Sequence, residues 1–525
     1  MVESTLTNTS VEGNPAPTPG NATMLQAFEW YSPAGGKHWK RLATILEDLS
    51  KTGITSMWIP PACKASSKDG NGYDVYDLWD LGEFDQKGQV ETKWGTKNDL
   101  LTLVKQAREH GIGLIFDAVL NHKAAADELE KCRAQEVDSD DRTKTISDPY
   151  EINGWLGFTF PGRGDKYSNF KWHWSHFTGT DYNDDNQKSA IYKILGDGKG
   201  WAEDGMFADI DHSHPEVARE IKNWGAWVTK ELGLVGFRFD AVKHFSEDFL
   251  RDFIDHVQEE NAKSKDGNKA AENLFCVGEF WKMSVQDMMD YIERMGRKFS
   301  LFDAPLVNNF SSLSKQEKSD LRTVFDNTLT KCEPVNSCTL VTNHDTQPGQ
   351  ALEIPIEGFF KPLAYSLILL RAEGYPCVFL GDLYGTAGPE DGEPASCGGQ
   401  LGDLILARKQ YAYGQQDDYF DFPTCIGWVR KGTWDKPDGL ACVLSNAEAG
   451  QKRMHVGELH AGEKWTDVLG WSQGEVTIGD DGFGEFYCPG VSVSVWVNKD
   501  AEGRENFGEF KAEIDGLTKK LEQSM

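Results

Sequence analysis

A parallel (β/α)8 barrel, interrupted once by a β-rich insertion and followed by an antiparallel β-sandwich, is the fold this sequence predicts. Short apolar runs alternate with amphipathic stretches through most of the chain. The alternation lapses between Asn121 and Glu216, and past about Asp418 strand-like runs follow one another directly. Repeated strand–helix alternation reads as a closed barrel rather than an open doubly wound sheet.

The eight runs are Met24–Phe28, Ser56–Ile59, Gly113–Ala118, Gly236–Phe239, Leu274–Gly278, Ser300–Phe302, Thr339–Thr342 and Pro376–Leu380. Trp39–Leu49, Leu100–Glu109 and Pro215–Leu232 read as helices between them, the last with Val217, Ile221, Trp224, Val228 and Leu232 at helical spacing. The barrel is expected over 22–120 and 217–419, behind a Pro/Thr/Asn-rich tail at 1–21. Residues 121–216 are rich in Gly, Asp, Asn, Trp and His without helical period. A structureless loop that long does not fit a compact fold, so this part is expected to be an irregular β-rich subdomain overhanging the barrel mouth. Ile426–Val429, Gly439–Leu444 and Val491–Val497 place the sandwich at 420–498. The last run alternates valines with Ser492, Ser494 and Trp496, the pattern of a half-buried strand. In the extension at 499–525, Phe507, Phe510, Ile514, Leu517 and Leu521 recur at three-four spacing, an amphipathic helix weakened by Gly508 and Gly516. It is expected to dock on the body, with self-association as the alternative; the chain as a whole is expected to be a monomer.

A formal charge of −29 excludes nucleic acid and anionic membranes as partners, since both require a basic face. No apolar run approaches the ~18 residues of a membrane span. The start Met1-Val2-Glu3-Ser4-Thr5-Leu6 lacks the basic and apolar regions of a secretory signal. The ten cysteines form no C-x-x-C pair, and Cys276, Cys377 and Cys442 lie inside apolar runs. Reduced thiols in the cytoplasm are the expectation; a signal removed earlier would instead imply secretion.

Chemistry concentrates where strands end. Asp240, Glu279 and Asp345 each follow an apolar run, which places them at the rim where parallel barrels carry their active sites. A carboxylate pair is what glycosidic cleavage requires, one acid protonating the leaving oxygen and another attacking the oxocarbenium-like carbon. Arg238, two residues before Asp240, shares its strand face and is expected to keep it ionised. Burial beside Phe280 and Trp281, near like charges, is expected to raise Glu279 for acid catalysis. Asp117-Ala118-Val119-Leu120-Asn121-His122 is a fourth strand-end motif, whose plainer reading is an aspartate capping local backbone. Asp211-His212-Ser213-His214 offers metal donors, but spacing supplies no third ligand and His214-Pro215 reads as a helix entry.

The segments Asp117–His122, Gly236–His244, Gly278–Trp281 and Val341–Asp345 closely resemble the four signature regions of the α-amylase family of glycoside hydrolases. The likeness extends to Gln26–Tyr31, Trp58–Ala62, Gly72–Leu78, Pro161–Gly164 and Ala407–Gly414, which look like bacterial liquefying α-amylases and their intracellular fungal relatives. It covers about residues 22–498. The resemblance implies endo-acting, retaining hydrolysis of α-1,4-glucans, with Asp240 as nucleophile, Glu279 as acid and then base, and Asp345 stabilising the transition state. It implies that Arg238 orients Asp240, that His122 and His344 bond sugar hydroxyls, that Tyr73 stacks under the ring, and that Lys243 and His244 line the leaving-group side. Trp30 and Trp281 are expected as further platforms, since aromatic rings match the apolar face of glucose, with a place in the core as the alternative for either. It also implies Ca2+, held by Asn121, Asp209 and the His244 carbonyl, with Glu203 or Asp204 as a further ligand. The stretch from Tyr192 to Ala208 is shorter than in the bacterial enzymes, which points to one ion rather than a cluster. Two rival activities are a transglycosylase of the same architecture and an inactive glucan-binding protein.

Overall fold

The computed structural model describes residues 17–196, 207–244, 246–263 and 274–512. Among these, eight parallel strands close into a barrel: β1 (Met24–Gln26), β2 (Ser56–Ile59), β3 (Gly113–Ala118), β4 (Gly236–Phe239), β5 (Phe275–Gly278), β6 (Ser300–Phe302), β7 (Ser337–Leu340) and β8 (Tyr375–Phe379). Each pairs with its sequence neighbours, and β1 pairs with β8 to close the ring. The strands are buried almost throughout, as parallel strands covered on both faces must be, and hence read as continuous apolar runs.

Two elements depart from expectation for local reasons. The stretch read as one helix over Trp39–Leu49 is two, His38–Ala43 and Leu46–Thr52. Between them the β-branched pair Thr44-Ile45 disfavours a continuous helix, and Thr44 Oγ1 donates 2.8 Å to the Arg41 carbonyl. Strand β7 ends at Leu340 rather than Thr342, so Asp345 stands on a loop and not at the strand terminus. The Asn343 side chain makes that loop: its Oδ1 accepts the Asp345 and Thr346 N–H groups at 3.0 and 2.8 Å.

The chain leaves β3 into an antiparallel six-stranded sheet ordered His122–Lys123, Ala208–Ile210, Phe177–Asn183, Lys188–Ile194, Glu128–Val137 and Tyr150–Gly157. Asp209 pairs with His122, so the sheet's last strand returns beside its first at the barrel rim. Helix Pro215–Leu232 then runs back down the barrel and stops at Gly233, whose φ of 57° is the left-handed cap that glycine accepts most readily.

The C-terminal sheet has the order Gln416–Phe422, Cys425–Arg430, Leu440–Ser445, Ser492–Asn498, Lys464–Asp467 and Val476–Thr477, faced by a two-stranded antiparallel sheet of Gly450–His455 and Phe483–Cys488. Strand Ser492–Asn498 is not half-buried as its alternation suggested: Ser494 and Trp496 are as buried as the valines. Val493, Val495 and Val497 join the barrel core, whereas Trp496 packs with Trp465 and Phe486 in a second core under the two-stranded sheet. The extension makes no α-helix over 499–512. Phe507 stacks on Tyr411 at 6.1 Å, and Phe510 lies 5.7 Å from Tyr384, over Gly402, where a Cβ would come within 2.4 Å of its ring. Ile514, Leu517 and Leu521 lie outside the described residues.

Candidate active site

Strand register gathers the acids. Arg238 lies opposite Asp117 of β3, and the ladder carries on past the strands, with Asp240 N–H donating to Ala118 and Glu279 N–H to Phe239. The fully buried Arg238 guanidinium donates from Nη1 to Asp117 Oδ1 (2.9 Å) and Asp240 Oδ1 (2.6 Å), and from Nη2 to Glu279 Oε2 (2.8 Å). Just after Asp240 the backbone turns through Ala241 at φ 48°, an uncommon conformation for a residue with a Cβ. That turn aims the Ala241 N–H at Glu279 Oε2, 3.2 Å away. Gly278 is required for close approach, because a Cβ there would sit 2.3 Å from the Phe299 ring.

Asp117 does not cap backbone. It accepts from Trp58 Nε1 at 2.9 Å and the Tyr73 hydroxyl at 2.8 Å besides Arg238, so it fixes the ring expected under the substrate. The rings of Tyr73 and His344 lie parallel within 5° at 5.0 Å, and Trp30 is aligned with both within 13°. His344 Nε2 is 3.2 Å from Asp345 Oδ2. His122 Nε2 lies 2.7 Å from the Tyr73 carbonyl, which the ring can serve as donor. The structure therefore brings Asp240, Glu279, Asp345, Arg238, Tyr73, His344, His122 and Trp30 to one end of the barrel. Lys243 is exposed and His244 half-buried on the turn after Asp240, and Trp281 is half-buried on the loop after β5, two residues past Glu279.

One guanidinium serves several acids, and that changes the expected charge pattern. Burial raises Asp240 to about 6, only partly opposed by Arg238 and reinforced by Asp117 and Asp345. Burial likewise raises Glu279 to about 6, helped by the Asp240 charge and by a carboxyl–carboxylate hydrogen bond to it. Asp345 rises to about 7 through burial and then Glu279. Arg238 does pull Asp240 down, as its place on the strand suggested, but the guanidinium is shared three ways and burial outweighs it.

These upward shifts have a stability consequence. An acid raised in the folded state contributes fully below its unfolded value near ~3.9 and costs stability as pH rises through the folded one. Asp345→Asn is therefore expected to raise the melting temperature, with a gain larger at pH 8 than at pH 4.5. Thermal melts at the two pH values check this, and an equal or reversed gain contradicts it.

Sequence reading missed Gln26, Glu29 and Gln347. Gln26 Nε2 lies 3.0 Å from His344 Nδ1. Gln347 Oε1 accepts the Trp30 N–H at 2.9 Å and its Nε2 donates to Glu29 Oε2 at 3.4 Å, which ties the loop after β1 to the Asp345 loop. Gln26 and Glu29 lie in the Gln26–Tyr31 segment that carries the family likeness, which gave them no role of their own, and Gln347 was marked only by standing two residues past Asp345.

For a cation, Asn121 is suggestive: it is buried, and neither atom of its side-chain amide has a hydrogen-bond partner among the described residues. Its own carbonyl accepts the Ile210 N–H at 2.9 Å, beside fully buried Asp209. Buried amide and carboxylate oxygens are donors that suit a hard ion. Glu203 and Asp204 lie outside the described residues. The Asp211–His214 motif gains the third donor that spacing did not supply, since His176, His214 and Glu216 place ligand atoms within 4.8 Å of one another. Yet His176 Nδ1 already accepts the His173 N–H at 3.0 Å, which puts a neutral ring's proton on Nε2 and leaves it no lone pair for a metal. His214 stands at the N-terminus of helix Pro215–Leu232, and its side chain makes no capping hydrogen bond there.

A closed parallel barrel with a carboxylate cluster and an aromatic wall at one end has the architecture of enzymes that work on carbohydrate. The profile of the α-amylase catalytic domain matches residues 35–418, and the chain belongs to that family. It is 44% identical over 489 residues to an α-amylase of Bacillus licheniformis, covering 91% of this chain and 94% of the relative. It is 42% identical over 498 residues to a cytoplasmic α-amylase of Escherichia coli strain K12, covering 91% and 99%. In fold it is similar to the crystal structure of an α-amylase from Geobacillus thermoleovorans complexed with acarbose, with a TM-score of 0.60 at 17% identity over 92% of this chain and 98% of that one.

Proposed function

We propose that the protein is an endo-acting, retaining α-amylase that hydrolyses α-1,4-glucosidic bonds of starch, glycogen or maltooligosaccharides. The observation that carries this reading is the single guanidinium of Arg238 joining Asp117, Asp240 and Glu279 at a barrel rim, in a chain of the α-amylase family. In the first step Asp240 attacks the anomeric carbon while Glu279 gives its proton to the glycosidic oxygen, the C–O bond breaks, and the shortened glucan leaves as an alcohol. Asp345 stabilises the positive charge spread over the ring. Glu279, now ionised, takes a proton from water; the hydroxide attacks the anomeric carbon, the ester to Asp240 breaks, and two inversions give retention. Tyr73, Trp30 and Trp281 offer aromatic faces to glucose, while His122, His344, Lys243 and His244 supply polar contacts. Maltoheptaose hydrolysis followed by proton NMR tests this: new reducing ends formed first as the α-anomer are expected. A first-formed β-anomer would contradict it, and constant reducing ends would mean transglycosylation instead.

Calcium is the ion the donor set fits, and Asn121, Asp209 and the His244 carbonyl would hold it. Bound there, it would offset buried negative charge and clamp the inserted sheet to the barrel. Chelation is expected to lower both melting temperature and activity, with recovery on adding calcium. Indifference of the melting curve to chelator would remove the ion from the account. A cytoplasmic location is supported by the ten cysteines, none disulfide-bonded among the described residues, and by similarity to a relative named cytoplasmic. Among the described residues no helix is long and apolar enough to cross a membrane.

A further inference from the structure

We propose that Gln26 is a positioning residue for the reaction: its side-chain amide fixes which nitrogen of His344 carries the proton, so that Nε2–H faces Asp345 and favours the ionised form of that carboxyl. This rests on the role assigned above to Asp345 and extends the site to a residue inside the barrel.

The geometry is a hydrogen bond on one side of the ring and a close N···O contact on the other. Gln26 ends β1 with no exposed surface, and its Nε2 lies 3.0 Å from His344 Nδ1; on the other side of the ring, Nε2 lies 3.2 Å from Asp345 Oδ2. The imidazole cannot turn away. It is stacked against Tyr73 at 5.0 Å, aligned with Trp30, and faced by Phe28 at 5.1 Å and Trp58 at 5.7 Å. Burial and the nearby Arg238 keep it neutral, so it carries one N–H for two partners.

Two arrangements satisfy both contacts. With the proton on Nε2, His344 donates to the Asp345 carboxylate, and Nδ1 accepts from the Gln26 amide. With the proton on Nδ1, the Gln26 amide must turn its oxygen to the ring. Nε2 then aims a lone pair at Asp345, which is tolerated only if Asp345 carries a proton. The orientation of one buried amide and the charge of one carboxylate are thus coupled through a clamped ring. In the observed orientation Gln26 Oε1 has no hydrogen-bond partner among the described residues, so the amide's polar contact is with His344 alone. A buried polar side chain with a single bond is costly to keep for packing. Gln26 does what the aspartate of a Ser-His-Asp triad does for its histidine, with the direction of donation reversed.

The test measures kcat/KM against pH on maltoheptaose for wild type, Gln26→Leu, Gln26→Glu and Asp345→Asn, with melting curves for each. Gln26→Leu is expected to move the acid limb up by about one pH unit and to lower kcat about tenfold at neutral pH, with KM within about twofold. Gln26→Glu can only accept while ionised, forces Nδ1–H, and is expected to lose about a hundredfold. An unchanged acid limb in Gln26→Leu overturns the inference, as does a kcat loss in both variants that follows only their melting temperatures. If Asp345→Asn stays active, the assignment of Asp345 fails, and the inference fails with it. Nitrogen-15 spectra of histidine-labelled wild type give a readout without substitution: a protonated Nε2 at His344 is expected, and a protonated Nδ1 at pH 8 overturns the proposal.

Discussion

Asp240→Asn is expected to lower kcat on maltoheptaose by at least about a thousandfold while glucan affinity survives, because an amide cannot form the glycosyl ester and the aromatic wall is untouched. Glu279→Gln is expected to lose a similar factor on the same substrate for a different reason. Its amide cannot protonate the leaving oxygen, but the nucleophile remains. A maltosyl fluoride, whose leaving group needs no proton, separates the two: Glu279→Gln recovers the first step and Asp240→Asn does not. Binding by calorimetry and initial rates on both substrates check this. Equal recovery in both variants, or near-full activity of either on maltoheptaose, contradicts the division of roles.

Arg238→Leu is expected to be the most damaging single change to the fold of the site. Its guanidinium bonds Asp117, Asp240 and Glu279 with no exposed surface of its own, and Asp345 is close enough to feel those charges. Removing one partner from a buried ionic cluster typically costs about 3–5 kcal/mol. The acids can escape part of that loss by binding protons, so the sign with pH is fixed. Without Arg238 their folded values rise further, and stability falls as pH climbs through them. The drop in melting temperature is therefore expected to be larger at pH 8 than at pH 5. A pH-independent drop would mean that Arg238 acts through packing alone.

Much of this molecule was legible because burial writes itself into the chain. Strands covered on both faces must be apolar throughout, so Ser56–Ile59, Gly113–Ala118 and Gly236–Phe239 read directly, and Pro215–Leu232 carried both its period and its proline entry. What stayed hidden depends on tertiary neighbours. Ser492–Asn498 looked half-buried, since alternation cannot reveal a second core beneath Trp496. Asp117 looked like a cap because its partners, Trp58, Tyr73 and Arg238, arrive from three other segments. The limit on Arg238's hold over Asp240 was hidden for the same reason: its proximity was visible in sequence, its sharing with Asp117 and Glu279 was not.

The chemistry proposed for Asp240 can be observed as a covalent bond. Glu279→Gln, mixed with maltosyl fluoride and quenched in acid, should accumulate an ester, because the variant lacks the base that would activate water to release it. Digestion and mass spectrometry are expected to find one added maltosyl mass, on the peptide containing Asp240. An adduct on Asp345, or turnover of the fluoride to β-maltose with no adduct at all, would contradict the account.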